Sequence, residues 1–182
     1  MGLPRGAGRD SFQIVDTEKL FSLLPKGEVL LDAGCGPGSY CIKASSIYRW
    51  VIGLDLWSDG LKKLKKRAEE LGIRNIYAVK AHLGRSIPIA SQTVDLCIMV
   101  NVLHDLNEEG YAHVALKEIA RVVKRGGYLG IVEFHKRSSP IGPPMDVRLE
   151  PSQVKELAQR AGFTYEKTVD VGEHHYLVIF RR

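Results

Sequence analysis

Little in this chain invites a metal, a disulfide framework or a membrane. Its 182 residues hold three cysteines, Cys35, Cys41 and Cys97, and their spacing matches no metal motif. An odd number of thiols favours a reduced setting over a secreted one. No apolar run approaches the ~20 residues that cross a bilayer, and Met1-Gly-Leu-Pro-Arg5 lacks the apolar centre of a signal peptide. The expected location is therefore the cytoplasm, with no membrane partner. Asparagine is scarce, confined to Asn75, Asn101 and Asn107, while lysine and arginine total 26, a combination found in thermophile proteins. The net charge of +5 tolerates an acidic partner without demanding one. The chain has no repeat and no low-complexity tract, and its length suits a single domain, 1–182, with a substantial core.

What is present is an alternation of strand and helix. Residues from Met1 to about Phe12 are rich in Gly and Arg and are expected to be mobile. Asp16-Thr17 caps a short helix through Leu24, and Pro25-Lys-Gly27 ends it. Val29-Leu-Leu31 is an apolar run suited to a strand buried on both faces, closed by Asp32, with a helix following to about Ser46. Further strands are expected over Trp50–Asp55, Asn75–Lys80, Val94–Val100 and Tyr128–Glu133. Helices are expected from Ser58 to Gly72, over Glu108–Val123 with Val114 on the buried side, and from Pro151 to Gly162. Phe163–Val169 and His175–Phe180 complete the pattern as a hairpin around Gly172. The fold class predicted is α/β, a doubly wound Rossmann-like sheet, mostly parallel.

Three glycines follow Asp32 at alternate positions: Gly34, Gly36 and Gly38. A backbone that turns sharply and lets a ligand lie against it needs residues without Cβ there, and a helix starting near Ser39 aims its amides at that ligand. The spacing departs from the dinucleotide fingerprint Gly-x-Gly-x-x-Gly, whose third glycine is replaced here by Ser39. Asp32, two residues before the first glycine, repels a pyrophosphate and suits a cation. S-adenosylmethionine is such a ligand, with a sulfonium, an ammonium and no phosphate.

Leu31-Asp32-Ala33-Gly34-Cys35-Gly36-Pro37-Gly38 resembles the first motif of the class I S-adenosylmethionine-dependent methyltransferases. Ile87-Pro-Ile-Ala-Ser-Gln-Thr-Val-Asp95 and Lys124-Arg-Gly-Gly127 are similar to that family's passages into strands four and five. The resemblance runs from about Asp16 to the end and implies seven strands, the last antiparallel. It implies S-adenosylmethionine as cofactor, contacted by Asp32, Ala33, Gly34, Cys35, Gly36 and Gly38. It further implies that Asp55 binds the ribose hydroxyls, that Leu56 borders the adenine and that Asn101 lines the methionine part. Many relatives carry an acid after strand three for the adenine amine. Here Lys80-Ala-His82-Leu83-Gly84 offers none, and the expected substitute is His82, accepting through a neutral ring nitrogen, or a backbone group.

Val100-Asn-Val-Leu-His104-Asp105-Leu106 resembles the segment in small-molecule O-methyltransferases whose histidine deprotonates the acceptor, which makes His104 the candidate base. Asn101-Val-Leu-His104 is not the Asn/Asp-Pro-Pro-Tyr motif of exocyclic-amine DNA methyltransferases, and no Pro-Cys pair offers a C5-pyrimidine nucleophile. The loop from His135 to about residue 150 is stiff with proline and would roof an acceptor, with Glu133, Lys136 and Arg148 meeting a polar or anionic substrate and the segment around Phe12 closing the other side. The basic run Lys62–Arg67 is read as a solvated helix face. The resemblance is nearest to the branch holding quinone C-methyltransferases, so a small-molecule acceptor is expected. A protein or RNA methyltransferase and an inactive cofactor-binding module stand as alternatives. The pattern leaves the oligomeric state open.

Overall fold

The computed structural model describes residues 15–182. The expectations for the first dozen residues, including Phe12 as part of a lid, lie outside them. The chain runs α1 (Thr17–Leu23), β1 (Val29–Ala33), α2 (Ser39–Ala44), β2 (Trp50–Asp55), α3 (Ser58–Glu70), β3 (Ile76–Lys80) and β4 (Val94–Val100). It continues with α4 (Leu103–Glu108), α5 (Ala112–Val122), β5 (Val123–Phe134), α6 (Pro151–Arg160), β6 (Thr164–Asp170) and β7 (His175–Arg181). The strands form one sheet in the order β3-β2-β1-β4-β5-β7-β6. β1 to β5 pair in parallel, and β7 runs antiparallel to both β5 and β6.

Local chemistry sets the ends of these elements. Asp16 caps α1 by accepting from the Lys19 amide at 2.9 Å. Pro151 opens α6, where Gln153 accepts from the Glu150 amide at 2.9 Å. The helix expected over Glu108–Val123 begins only at Ala112, because Gly110, with a left-handed φ of 78°, separates it from the short α4 that ends at Glu108. Val114 lies on the solvent side, and Ala112, Ala115, Leu116, Ile119 and Ala120 are buried in its place. Alternate β1 residues feed two cores. Leu31 and Ala33 pack with α4, α5 and α6, and Leu30 packs with α1, α2 and α3.

The two passages into β4 and β5 owe their residues to architecture. Asp95 accepts from the amides of Glu28 and Val29 at 3.0 and 2.8 Å and from Lys124 Nζ at 2.6 Å, tying β1, β4 and β5 at their N-terminal ends. Burial pushes the Asp95 carboxyl up, but Lys124 and the two amides more than offset it, leaving it below the usual range. The functional residues must then lie at the opposite rim. There the chain leaves β1 toward β2 on one side, and crosses from β3 to β4 on the other side of β1, which opens a crevice between β1 and β4.

Candidate functional site

At that rim the loop after β1 turns on three left-handed glycines, Gly34, Gly36 and Gly38, with φ of 86°, 51° and 81°. The amides of Gly34 and Cys35 donate to the Leu54 carbonyl at 2.8 and 3.1 Å, fastening the loop to the end of β2. Arg67 donates to the Pro37 carbonyl at 3.3 Å and to Ser39 Oγ at 3.0 Å, so the last cation of the basic run is a loop anchor.

The glycines do different work. A Cβ on Gly38 would stand 2.2 Å from Leu64 Cδ1 and one on Gly34 2.5 Å from Val102 Cγ2, whereas one on Gly36 meets nothing within 4 Å. Gly36 therefore faces open space, as the floor of a ligand cradle does. Gly38→Ala is expected to destabilise the fold by about 2–4 kcal/mol through overpacking and left-handed strain. Gly36→Ala should cost only the left-handed strain of about 1–2 kcal/mol, less than Gly38→Ala, yet lose roughly tenfold or more in cofactor affinity, about 1.4 kcal/mol. Denaturant titration and calorimetry with S-adenosylhomocysteine separate the two.

Asp55 ends β2 half-buried, with Oδ2 accepting from the Gly36 amide and Oδ1 from the Trp57 amide, each at 2.7 Å. Each oxygen keeps a further lone pair for a hydroxyl. Leu56 beside it is exposed, while the side chains of Ala33, Cys35 and Leu83 are buried, so only their backbone can face a ligand.

Asp32 differs from expectation. Its side chain is buried beneath the loop at 1 % exposure, and Oδ2 accepts from the Cys41 thiol at 3.2 Å. Burial raises its carboxyl to about 7, the Cys41 hydrogen bond offsets part of this, and Asp55 adds to it. It is not an open anion at the mouth of the turn.

His82 is corrected too. Its Nδ1 accepts from the Gly84 amide at 2.9 Å, and its ring meets Tyr111 edge-on at 5.0 Å. A neutral ring so held carries its proton on Nε2 and can only donate outward, which suits an adenine ring nitrogen and not the amine.

Beyond β4, Asn101 takes a left-handed φ of 56°, rare for a residue with Cβ, and its amide donates to the Val132 carbonyl at 2.9 Å. Its Nδ2 lies 3.1 Å from His175 Nε2, and its Oδ1 is buried with no hydrogen-bond partner. Next comes His104, 4 % exposed. Its Nδ1 lies 2.7 Å from Glu133 Oε2, and its backbone amide donates to Glu133 Oε1 at 3.1 Å. Nε2 faces Asp105 Oδ1 at 3.4 Å. Burial pushes the His104 pKa down, but Glu133, with Asp105 and Glu108 behind it, more than reverses this, so it ends above its ordinary 6.5.

Glu133 is thus partnered inside the protein and does not meet substrate directly. Arg148 does not either. Its Nε donates to Pro143 O at 2.9 Å and Nη1 to the carbonyls of His135 and Arg137 at 3.1 and 2.7 Å. Nη2 donates to Ser139 Oγ and Ile141 O at 3.1 and 2.8 Å. Every guanidinium donor is spent folding the 135–148 loop, which contains no helix or strand. Arg148→Met is expected to release the loop. Hydrogen exchange should speed sharply across 135–148 and stay nearly unchanged in β1 to β4; uniform acceleration would mean a general loss of stability.

A glycine cradle, an acid ending β2, and an unpartnered acceptor oxygen after β4 lie along one rim. A model of the methyltransferase domain family matches residues 31–131. The chain belongs to that family. Its fold is close to that of an S-adenosylmethionine-dependent methyltransferase from Aquifex aeolicus, with a TM-score of 0.84 and 26% identity over 93% of this chain and 91% of the other. It is also similar to proteins named tRNA (carboxymethyluridine(34)-5-O)-methyltransferase. One, from Arabidopsis thaliana, is 32% identical over 106 residues, 58% of this chain and 24% of the plant protein. Another, from Schizosaccharomyces pombe, is 33% identical over 110 residues, 60% of this chain and 43% of the yeast protein. The chain thus spans less than half the length of these two curated relatives.

S-adenosylmethionine is the cofactor of this methyltransferase domain family and fold. The residues present fit it: Gly36 leaves open floor, Asp55 retains acceptor capacity for ribose hydroxyls, and the Asn101 Oδ1 orphan suits an ammonium donor. Sequence reasoning missed Glu133 as the partner of His104, and it missed His175. Glu133 carried a signal, since it closes an apolar run as Asp32 and Asp55 do. His175 carried none.

Proposed function

We propose that the protein transfers a methyl group from S-adenosylmethionine to a hydroxyl oxygen of a small-molecule acceptor, with His104 as base and Glu133 as its positioning residue. The observation that carries this reading is the two-point hold of Glu133 on His104, at 2.7 Å to the ring and 3.1 Å to the backbone. Accepting from Nδ1–H, Glu133 fixes the tautomer that leaves a lone pair on Nε2 and steadies the imidazolium formed when Nε2 takes a proton. Asp105 adds a second negative charge on the Nε2 side. Asp55, Gly36 and Asn101 would hold the cofactor, which supplies a methyl group already activated by sulfonium charge. The chain's remaining task is alignment in a site that excludes water.

A small acceptor is favoured by the state of the basic run. Lys62 pairs with Asp59 at 2.9 Å and Lys66 with Glu70 at 3.7 Å, while Lys63 lies 5.2 Å over Trp57 and Arg67 holds the glycine loop. An open cationic track for a phosphate backbone would leave such side chains unpaired. The names of the curated relatives favour a second reading, methylation of RNA. Radiolabelled methyl transfer into fractionated lysate decides between them. Label in the small-molecule fraction is expected, label in RNA establishes the second reading, and label nowhere leaves a cofactor-binding module.

A further inference from the structure

His175, the first residue of β7, is fully buried, and its Nδ1 has no hydrogen-bond partner. Its Nε2 faces the Asn101 amide nitrogen, which can only donate, so Nε2 accepts and the neutral ring carries its proton on Nδ1. Burial, and then the charges of His174, His135 and Arg148, lower its pKa to about 4, so the ring stays neutral near pH 7. The result is a buried N–H with nothing to donate to. Such a group costs about 1–3 kcal/mol, and its persistence calls for a cause.

The surroundings supply one. His175 is the register partner of Phe134, with ring centroids 4.0 Å apart, which places it at the same rim as Glu133 and His104 but with its ring on the opposite face of the sheet from the Glu133 side chain. The permanent charge among its neighbours, the Arg148 guanidinium, favours an anion. The donor is held from both sides, by the Asn101 amide and by the Phe134 ring, so its direction is set before any ligand arrives.

We propose that His175 binds the methyl acceptor, its Nδ1–H donating to a carboxylate that the substrate carries in addition to the hydroxyl to be methylated. This rests on the reading that the rim holds an acceptor. The ring is fully buried, so the carboxylate reaches it by displacing neighbouring side chains.

The test uses the full chain saturated with S-adenosylhomocysteine, with isotope-labelled histidine ring nitrogens read by NMR and sodium benzoate as the carboxylate probe. A saturable shift of the His175 Nδ1 resonance, with the ring remaining neutral, is the expected result. In calorimetry, His175→Phe keeps the stacked ring without the donor and should weaken benzoate roughly tenfold or more, well beyond any change in S-adenosylhomocysteine affinity that follows from the loss of its contact with Asn101. His175→Asn, whose amide nitrogen falls near the place of Nδ1, should recover most of the loss. Benzoate that fails to bind, leaves the His175 resonance unmoved, or binds His175→Phe equally well overturns the proposal. Failure of the unaltered protein to bind S-adenosylhomocysteine would instead bring down the cofactor reading beneath it.

Discussion

Glu133→Gln is expected to cut methyl transfer by about 10²–10⁴-fold while leaving the affinity for S-adenosylhomocysteine essentially unchanged. The glutamine keeps the volume of Glu133, and its carbonyl oxygen can still accept from the His104 amide, as Oε1 does now at 3.1 Å. Its amide nitrogen then donates to Nδ1, which forces the imidazole proton onto Nε2. A ring so protonated has no lone pair to offer the acceptor. In hydrolase triads the same exchange lowers turnover by about 10⁴ through the wrong tautomer. His104→Ala is a poorer probe, because it strands a carboxylate that is 1 % exposed and so risks the fold.

The pH profile gives an independent reading of the same pair. Only neutral His104 can accept a proton, and its pKa lies above 6.5. The rate should therefore climb with pH through a limb above that value. Removing the charge of Glu133 moves the limb to lower pH while lowering the plateau. The linkage to stability runs the other way. The ion pair stabilises the fold fully below pH 6.5, and that contribution is lost as pH rises through the folded value. If Glu133→Gln leaves both plateau and limb in place, His104 is a packing residue.

The second large effect concerns Asp32. Its carboxyl rises from 3.8 to about 7 on folding, chiefly by burial. Ionising it therefore costs the folded state, and this loss grows as pH climbs from 3.8 toward about 7 and then levels off. Asp32→Asn, which can still accept from the Cys41 thiol, should stabilise the protein at pH 8 by up to about 4 kcal/mol. The gain should shrink as pH falls toward 4, and urea titrations across that range measure it. A variant less stable than wild type at pH 8 would mean that the carboxylate has a compensating partner.

That prediction marks where sequence reasoning on the site broke down. The position of Asp32 after an apolar run was legible, and so was the glycine spacing. The direction of its side chain was not, because alternation along β1 puts residue 32 on the face of Leu30 and Cys41, under the loop and away from its mouth. Asp55 and His104 were legible for the same reason as Asp32, being polar residues that follow buried strands. Their partners were not. Glu133 lies 29 residues beyond His104, and only the β4–β5 pairing brings them together. The correction to His82 came from a local turn, its own Nδ1 with the Gly84 amide, that no pattern announces.

The fold was read more fully than the site, since hydrophobic alternation reports on strands directly. The start of β5 shows the limit. Val123 pairs with Val94 across a register shift, so the strand begins before Gly126-Gly127 and not after it. The later start of α5 was missed because a lone glycine inside a helical pattern does not by itself mark a break, and the left-handed turn at Gly110 is not announced by its neighbours.

Arg148 carries a last consequence, for redesign. Four of the five groups it grips are main-chain oxygens, those of Pro143, His135, Arg137 and Ile141. The contour of residues 135–148 is therefore encoded almost independently of the side chains displayed on it, and Met145 already projects outward. So long as Arg148 and Ser139 stay, the segment can serve as an exchangeable cassette, in which Lys136, Ile141 and Met145 are varied without rebuilding the scaffold.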